Sequence, residues 1–409
     1  MEKTLYYPTY LLDYTCKCGA CRHTCCTGHD WNISMSRNEY ANVTTAAHAS
    51  MQLEPLVALF TPDANRAEDL VPVPLQSSGL CALLEPDGTC AWRNRSGSDI
   101  CSICREFPTM YLRLFDAVYA YPSGGCEAVL EALMRANGPI ELRSRPYTSD
   151  EPHAFLLDIA EDQAPRDSVY GVYPILANLG LTVLQDERYS LDERMALLMA
   201  YLDMADKMIG VGQASRLEVA LNGARDERRT ATLLDGFTHD ARPGNPAIRT
   251  CSDLYHCCLD SPAYAPWARR ILENLGFEII VRNPRTRGTL RLRHPEILER
   301  RREEYRPYLA QKEPFLAKVM ASVYLHNGIP LANPDPWSNS RYFAVCYTLI
   351  KFGIVGHFET FPSDEELVDF LVVALRAFTH NSAFYQNTVR WMDGLEFTKV
   401  GDFAKMVLW

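Results

Sequence analysis

Five cysteines fall within the eleven residues Cys16-Lys17-Cys18-Gly19-Ala20-Cys21-Arg22-His23-Thr24-Cys25-Cys26, and no other feature constrains this chain as strongly. Thiols this crowded are not ordinary packing residues, and adjacent cysteines such as Cys25 and Cys26 pair with each other only at the cost of backbone strain. A metal ion or an iron–sulfur cluster is their natural host. A chain of 409 residues buries enough apolar surface to fold without metal or disulfide staples, so the thiols call for a reason beyond stability.

The other cysteines sharpen the point. Ten of the fourteen lie at or before Cys126, and the rest of the chain holds only Cys251, Cys257, Cys258 and Cys346, which read as small buried hydrophobes. The asymmetry predicts two domains: residues 1–150, loop-rich and cysteine-bearing with a few short strands, and residues 151–409, all-helical, so the fold class is mainly α. In the first, the Ser77-Ser78-Gly79 turn leads into Cys81 and Pro86-Asp87-Gly88 turns just before Cys90. Leu112 to Tyr121 has strand composition, and Cys126 opens a short helix over Glu127–Met134 that Asn137-Gly138-Pro139 stops.

From about Tyr170 the pattern is helical. Ser190 with Glu193 and Ser363 with Glu366 are capping boxes. The first opens a helix with Met195, Leu198, Leu202 and Ile209 on its buried face, and the second opens the nearly all-apolar Leu367–Phe378. Pro314 reads as the first residue of a third helix ending near Tyr324. The arginines of Arg269–Arg306 interleave with Glu296, Glu299, Glu303 and Glu304, which suits a solvated, ion-paired helix face. Gly210-Val211-Gly212 follows a helix and reads as its stop, not as a nucleotide loop. Asn222–Asp226 and Asp240–Pro246 are linker candidates.

Composition narrows the partners. A net charge of −10 argues against nucleic acid, whose phosphates need a positive footprint. No run of eighteen apolar residues suggests a membrane span, and residues 1–14 lack the apolar core and cleavage site of a secretory leader. The expectation is a cytoplasmic protein, where clustered thiols mean metal or redox chemistry more often than disulfides.

Cys18-x-x-Cys21 and Cys101-x-x-Cys104 each offer two ligands from one tight loop, as a tetrahedral zinc site requires, but they stand much further apart than the knuckles of a compact zinc module. The mixed gaps of Cys18, Cys21 and Cys25 are closer to an iron–sulfur binding loop, without the proline that follows the last ferredoxin cysteine. A radical enzyme using S-adenosylmethionine would carry Cys-x-x-x-Cys-x-x-Cys. Cys21 and Cys25 fit the first gap, but position 28 is glycine. His23, His29 and Asp30 sit in or beside the thiol motif and could bind metal or handle protons, with a plain loop role the simpler reading.

At these residues the chain resembles the flagellin lysine N-methylases, related to the wider group with a zinc- or iron-chelating cysteine domain. The resemblance lies in Cys16-x4-Cys21-x3-Cys25-Cys26 with a following glycine and Trp31, in Cys81-Ala82-Leu83-Leu84 with Cys90, in Cys104-Arg105-Glu106-Phe107-Pro108 and in Cys126-Glu127-Ala128. Leu184–Tyr189, Leu191–Arg194 and His380-Asn381 match its helical part more loosely, and Cys18 and Cys101 are additional to it. The resemblance implies metal ligation by Cys16, Cys21, Cys25, Cys26, Cys81, Cys90, Cys104 and Cys126, holding an iron–sulfur cluster of the 4Fe-4S type or, alternatively, zinc. It also implies methyl transfer from S-adenosylmethionine to lysines of a protein substrate, with flagellin a candidate.

Direct displacement needs a neutral amine, whereas a free lysine has a pKa of about 10.4, so the site must desolvate the amine or supply a base. No residue singles itself out for that task among the 21 tyrosines. His380-Asn381 ends an apolar helix and reads as a dipole-complementing cap. Two rival functions stand beside the methyltransferase: a zinc- or iron-binding interaction or assembly protein without catalysis, and a redox enzyme passing electrons through an iron–sulfur cluster.

Overall fold

The computed structural model of the chain describes residues 3–28, 33–60, 70–148, 155–237, 246–281, 288–327, 336–394 and 399–409. It is 57% helical, with its few short strands mostly in the N-terminal part. His29, Asp30, Trp31 and linker residues 240–245 lie outside the described residues. All fourteen cysteines are free thiols.

The N-terminal part runs β1 (Lys3–Pro8), β2 (Ser34–Ser36), α1 (Arg37–His48), α2 (Glu54–Val57), β3 (Leu70–Pro72), α3 (Ala91–Ser96), α4 (Ser102–Glu106), β4 (Thr109–Leu114), β5 (Ala117–Pro122), α5 (Glu127–Arg135), β6 (Leu142–Tyr147) and β7 (Phe155–Ile159). Five of these strands form one sheet in the order β6-β1-β5-β4-β7. The single strand expected over Leu112–Tyr121 is therefore the hairpin β4–β5. Phe115 takes a left-handed φ of +58° there and reverses the chain, so that Leu112 faces Tyr119. β5 is buried on both faces: Tyr119 and Tyr121 enter the main core, while Val118 and Ala120 pack with Leu5.

The second part comprises α6 (Tyr173–Leu184), α7 (Leu191–Gly210), α8 (Leu217–Ala224), α9 (Glu227–Asp235), α10 (Pro246–Cys258), α11 (Ala265–Asn274), the hairpin β8 (Phe277–Ile280) and β9 (Thr289–Leu292), then α12 (Pro295–His326), α13 (Pro336–His357), α14 (Asp364–Thr379), α15 (Ser382–Gly394) and α16 (Val400–Val407). Both expected capping boxes form, at Ser190 and Ser363, where each serine hydroxyl accepts the amide of the third helical residue. Met195, Leu198 and Leu202 are buried, and Gly212, at φ +72°, follows the end of α7.

Three further expectations change. Pro314 does not start a helix but lies inside the 32-residue α12. The upstream stretch stays helical because side chains anchor it: the Tyr305 hydroxyl donates to the carbonyls of Phe358 and Thr360, and Tyr308 to that of Pro362. Within the arginine-rich stretch, Arg300–Glu304 and Arg306–Glu303 are the exposed pairs anticipated, but Arg301 is buried and donates to Val355 and Phe358 carbonyls. Residues 222–226 are no open linker either, since Asn222–Ala224 finish α8 and Asp226 caps α9.

Besides the cluster of Leu5, Val118 and Ala120, two larger hydrophobic cores result. A small one joins Ile33, Met35, Val43, Phe60, Val71, Trp92 and Ile100 around Cys81 and Cys101. A large one runs from Tyr10 through the β4–β5 hairpin and α5 into the helices from α6 to α16, α9 packing against it through Leu233 and Leu234, and it encloses Cys251, Cys258 and Cys346 as the packing residues expected. No single helix among the described residues is long and apolar enough to cross a membrane.

Candidate functional site

The cysteine loop owes its position to polar clamps reaching in from distant helices. Glu127, in the first turn of α5, has a fully buried side chain that accepts the amides of Arg22 at 2.8 Å and His23 at 3.0 Å, and the ammonium of Lys17. Burial pushes its carboxyl pKa up, but the Lys17 ammonium and the His23 amide outweigh burial and hold it below the usual value. From α14, buried Arg376 donates to the carbonyls of His23 (2.8 Å), Thr24 (3.1 Å) and Gly125 (2.9 Å). Arg22 pairs with Glu365 and Asp369 of the same helix, and the His23 ring lies 3.2 Å from Asp369. Cys25 and Cys26 follow this doubly gripped turn.

The ten N-terminal cysteines gather in two neighbourhoods. In the first, Cys16 and Cys18 have sulfurs 3.8 Å apart, Cys21 and Cys25 each interact electrostatically with Cys16 and Cys126, Tyr14 interacts with Cys16, Cys25 and Cys126, and the Cys25 thiol hydrogen-bonds that of Cys26. Cys126 caps α5 one residue before Glu127 and packs against the large core. In the second, Cys81 and Cys101 belong to the small core, with Cys26 and Cys90 packed against it. The Cys81 amide donates to the Cys26 carbonyl at 3.0 Å, and the sulfurs of Cys101 and Cys104 are 3.4 Å apart. Where the loops meet, Gly19 and Gly88 touch backbone to backbone: a Cβ on Gly19 would stand 2.5 Å from the Asp87 carbonyl oxygen. Cys18, beside that contact, has a left-handed φ of +49°, a strained state for a residue with a side chain.

Among the described residues, no three His, Cys, Asp or Glu side chains form a ready-made site for a metal ion. The donor chemistry nevertheless suits a soft metal or cluster. Burial pushes the Cys21 and Cys81 thiols up to about 11, and hydrogen bonding splits the pairs, with Cys26 lowered to about 7 by Cys25 and Cys101 lowered by Cys104, while Cys25 and Cys104 rise. Thiols that resist losing their protons singly because of their neighbours' charge are relieved by a shared cation, which replaces the protons.

Between the two cores lies a cavity of about 810 Å³. Ser102, Ile103 and Glu106 of α4, flanked by Cys101 and Cys104, and the segment Phe107–Met110 form one side; Phe155 and Leu156 of β7 add to it; His326, Asn327, Asn339, Tyr342, Phe378, His380, Asn381 and Tyr385 close it from the helices. Glu39, in the α1 capping box, fixes the α4 wall by accepting the Ser102 amide at 2.7 Å. The imidazoles of His326 and His380 lie with ring centroids 5.3 Å apart. Ser123 Oγ accepts the Gly125 amide and meets His380 Nε2 at 2.6 Å. Burial drives the pKa of His326 down to about 4 and that of His380 to about 3, so both are neutral at physiological pH. His380 therefore brings no positive charge to the end of α14. His326 Nδ1 lies 3.1 Å from the Asn327 side-chain oxygen, an acceptor, which assigns the proton to Nδ1 and leaves Nε2 as the basic nitrogen.

A larger depression of about 1100 Å³ between α8 and α9 is open and lined by residues such as Asp226, Arg228 and Arg229, with no cysteine, histidine or tyrosine among its described residues. His326, His380, Tyr342 and Tyr385 line the cavity of about 810 Å³ instead. His326, Tyr342 and Tyr385 carried no signal in the sequence; His380 did, through its helical-part match.

The family model described as the FliB lysine N-methylase C-terminal domain matches residues 178–408, which include α12 to α14 and both cavity histidines. No curated protein and no solved structure matches the chain.

Proposed function

Because the chain belongs to the FliB lysine N-methylase family, we propose that it transfers methyl groups from S-adenosylmethionine to lysine ε-amines of a protein substrate, flagellin being the candidate, inside the cavity that His326 and His380 share. The observation that carries this reading is a pair of neutral imidazoles in a largely apolar chamber. Displacement at the donor methyl forms the N–C bond as the S–C bond breaks, and the amine must bring a lone pair. Phe107, Met110, Phe155 and Phe378 strip hydration from an entering ammonium, which favours its neutral form, while the Glu39 and Glu106 carboxylates in the same lining favour the charged form and draw it in. His326 Nε2 can accept a hydrogen bond from the neutral amine, turning the lone pair toward the donor, and the methylated ammonium leaves with its own protons and sheds the extra one to solvent.

The N-terminal thiols, Cys16, Cys21, Cys25, Cys26, Cys81, Cys90, Cys104 and Cys126, are the residues that would hold an iron–sulfur cluster in this proposal. Such a cluster supplies one-electron chemistry when bound. Of these residues Cys104 lies on α4, among residues that line the cavity. The same reading sets the reaction in the cytoplasm.

The test is to incubate the anaerobically reconstituted protein with methyl-labelled donor and flagellin, then assay acid hydrolysates for methyl-lysine. Transfer should fall about 100-fold in His326→Ala, with circular dichroism unchanged. Absence of transfer by the wild-type protein, or an undiminished rate in both His326→Ala and His380→Ala, would overturn the proposal. Zinc without iron, together with no transfer, would return the chain to an interaction or assembly role.

A further inference from the structure

We infer that Ser123 is a positioning residue that fixes the proton of His380 on Nδ1, so that His380 presents a hydrogen-bond donor to the methyl donor while His326 presents an acceptor to the lysine amine. The inference rests on the reading of this cavity as a methyl-transfer site and adds a division of labour between its two imidazoles.

Proton accounting carries it. Ser123 is 1% exposed, and among the described residues its hydroxyl oxygen has two partners, the Gly125 amide at 3.0 Å and His380 Nε2 at 2.6 Å. An amide can only donate, so the oxygen accepts there. The hydroxyl's own proton then goes to Nε2, because the alternative leaves it unpaired in the interior. A nitrogen that accepts a hydroxyl proton is bare, and in a neutral imidazole the ring proton then sits on Nδ1. Burial, His326 and Arg376 all disfavour a charged ring. The fit around the ring is close: Arg376 holds the Gly125 carbonyl at 2.9 Å, and a Cβ on Gly125 would stand 2.8 Å from Nε2 and 3.0 Å from Cδ2. The Nε2–Cδ2 edge thus lies against this backbone. Nδ1, opposite that edge in the ring, points away from it on a residue that lines the cavity.

The two rings are complementary as a result. His326 gives its Nδ1 proton to Asn327 and keeps Nε2 bare, while His380 carries its proton on Nδ1. A displacing amine spends its one lone pair on the methyl carbon and retains N–H bonds to give, so it needs an acceptor, and a donor aimed at its nitrogen would tie up that lone pair. His380 therefore suits the other reactant, since S-adenosylmethionine offers a carboxylate, ring nitrogens and hydroxyl oxygens as acceptors.

The experiment uses the full chain, reconstituted anaerobically. Nitrogen NMR of histidine-labelled protein reads the tautomer, and calorimetry with S-adenosylhomocysteine reads affinity for the demethylated donor. In the wild type the His380 signals, identified by their loss in His380→Asn, should show Nδ1 protonated and Nε2 bare. Ser123→Ala should move the proton toward Nε2, weaken S-adenosylhomocysteine about fivefold, raise KM for the methyl donor to match and leave KM for the protein substrate unchanged. A protonated Nε2 in the wild type, or equal affinity in Ser123→Ala, overturns the inference and leaves methyl transfer standing. A wild type that binds no S-adenosylhomocysteine overturns the methyl-transfer reading and the inference with it. Should Ser123→Ala fail to fold, the wild-type tautomer decides together with His380→Asn, whose amide keeps a donor near the place of Nδ1. It should bind S-adenosylhomocysteine more tightly than His380→Leu, and an equal or reversed order rules the inference out.

Discussion

The cysteine-rich region and the helical region solve the folding problem with different forces. In the helical region α13 and α14 are buried along nearly their whole length, and Phe343, Phe352, Leu371 and Leu375 exclude water completely; burial at about 25 cal/mol per Å² organises that part without help. In the cysteine-rich region the small core is surrounded by loops whose course is set by charged clamps, Glu127 on one side and Arg376 on the other. A region organised by a few polar contacts and a set of thiols depends on each of them, whereas a region organised by many apolar contacts tolerates the loss of any one.

Removing metal should separate the regions most. Structural metals contribute on the order of 10 kcal/mol to small domains, so chelation under anaerobic conditions is expected to abolish hydrogen-exchange protection around residues 16–26 and 81–104 while α13 and α14 stay protected. Equal protection in both regions after chelation would erase the contrast.

Next in size are two buried cations. Arg376→Met leaves three carbonyls without their donor and should cost about 3 kcal/mol along with much of the bound metal. Lys351, buried on α13 between Asp192 and the Val407 and Trp409 carbonyls, should lose a similar amount as Lys351→Met yet keep its metal. Denaturant titration beside an iron assay distinguishes the two, and metal loss in both variants would contradict the separation.

A smaller effect comes from acid. His326 and His380 stay neutral in the folded chain down to about pH 4 and 3, whereas an unfolded imidazole takes its proton near 6.5. Below pH 6.5 the unfolded state thus binds more protons, so stability is fully present above that value and falls as pH drops toward 4, by roughly 1.4 kcal/mol per unit for each imidazole. His326→Gln/His380→Gln should flatten the slope between pH 6.5 and 5 in chemical denaturation, and an unchanged slope would refute the assignment. The least effect is expected from Arg300→Ala: its exposed pair with Glu304 is worth about 0.3 kcal/mol.

What could be read from the sequence follows the same division. Capping boxes and apolar periodicity are local signals, so Ser190, Ser363 and the helices they open were legible, as were the packing cysteines Cys251, Cys258 and Cys346. The β4–β5 hairpin was hidden because Phe115, not a glycine or asparagine, occupies its left-handed turn position. Pro314 misled because the contacts that carry α12 through it, from Tyr305 and Tyr308, lie far away in sequence. The thiols were visible as a set, but their sorting between two cores depends on tertiary packing. His326 was silent because its lowered pKa is made by walls from α4, β7 and α13 that no short window contains.

One consequence follows from the meeting of Gly19 and Gly88. These residues sit on loops that serve the two thiol neighbourhoods, and their bare main chains act as a spacer with no give, setting how far apart the neighbourhoods stand. Gly19→Ala would wedge them open by the width of a methyl group without altering a single sulfur, and so provides a ruler for how finely the whole assembly depends on that distance.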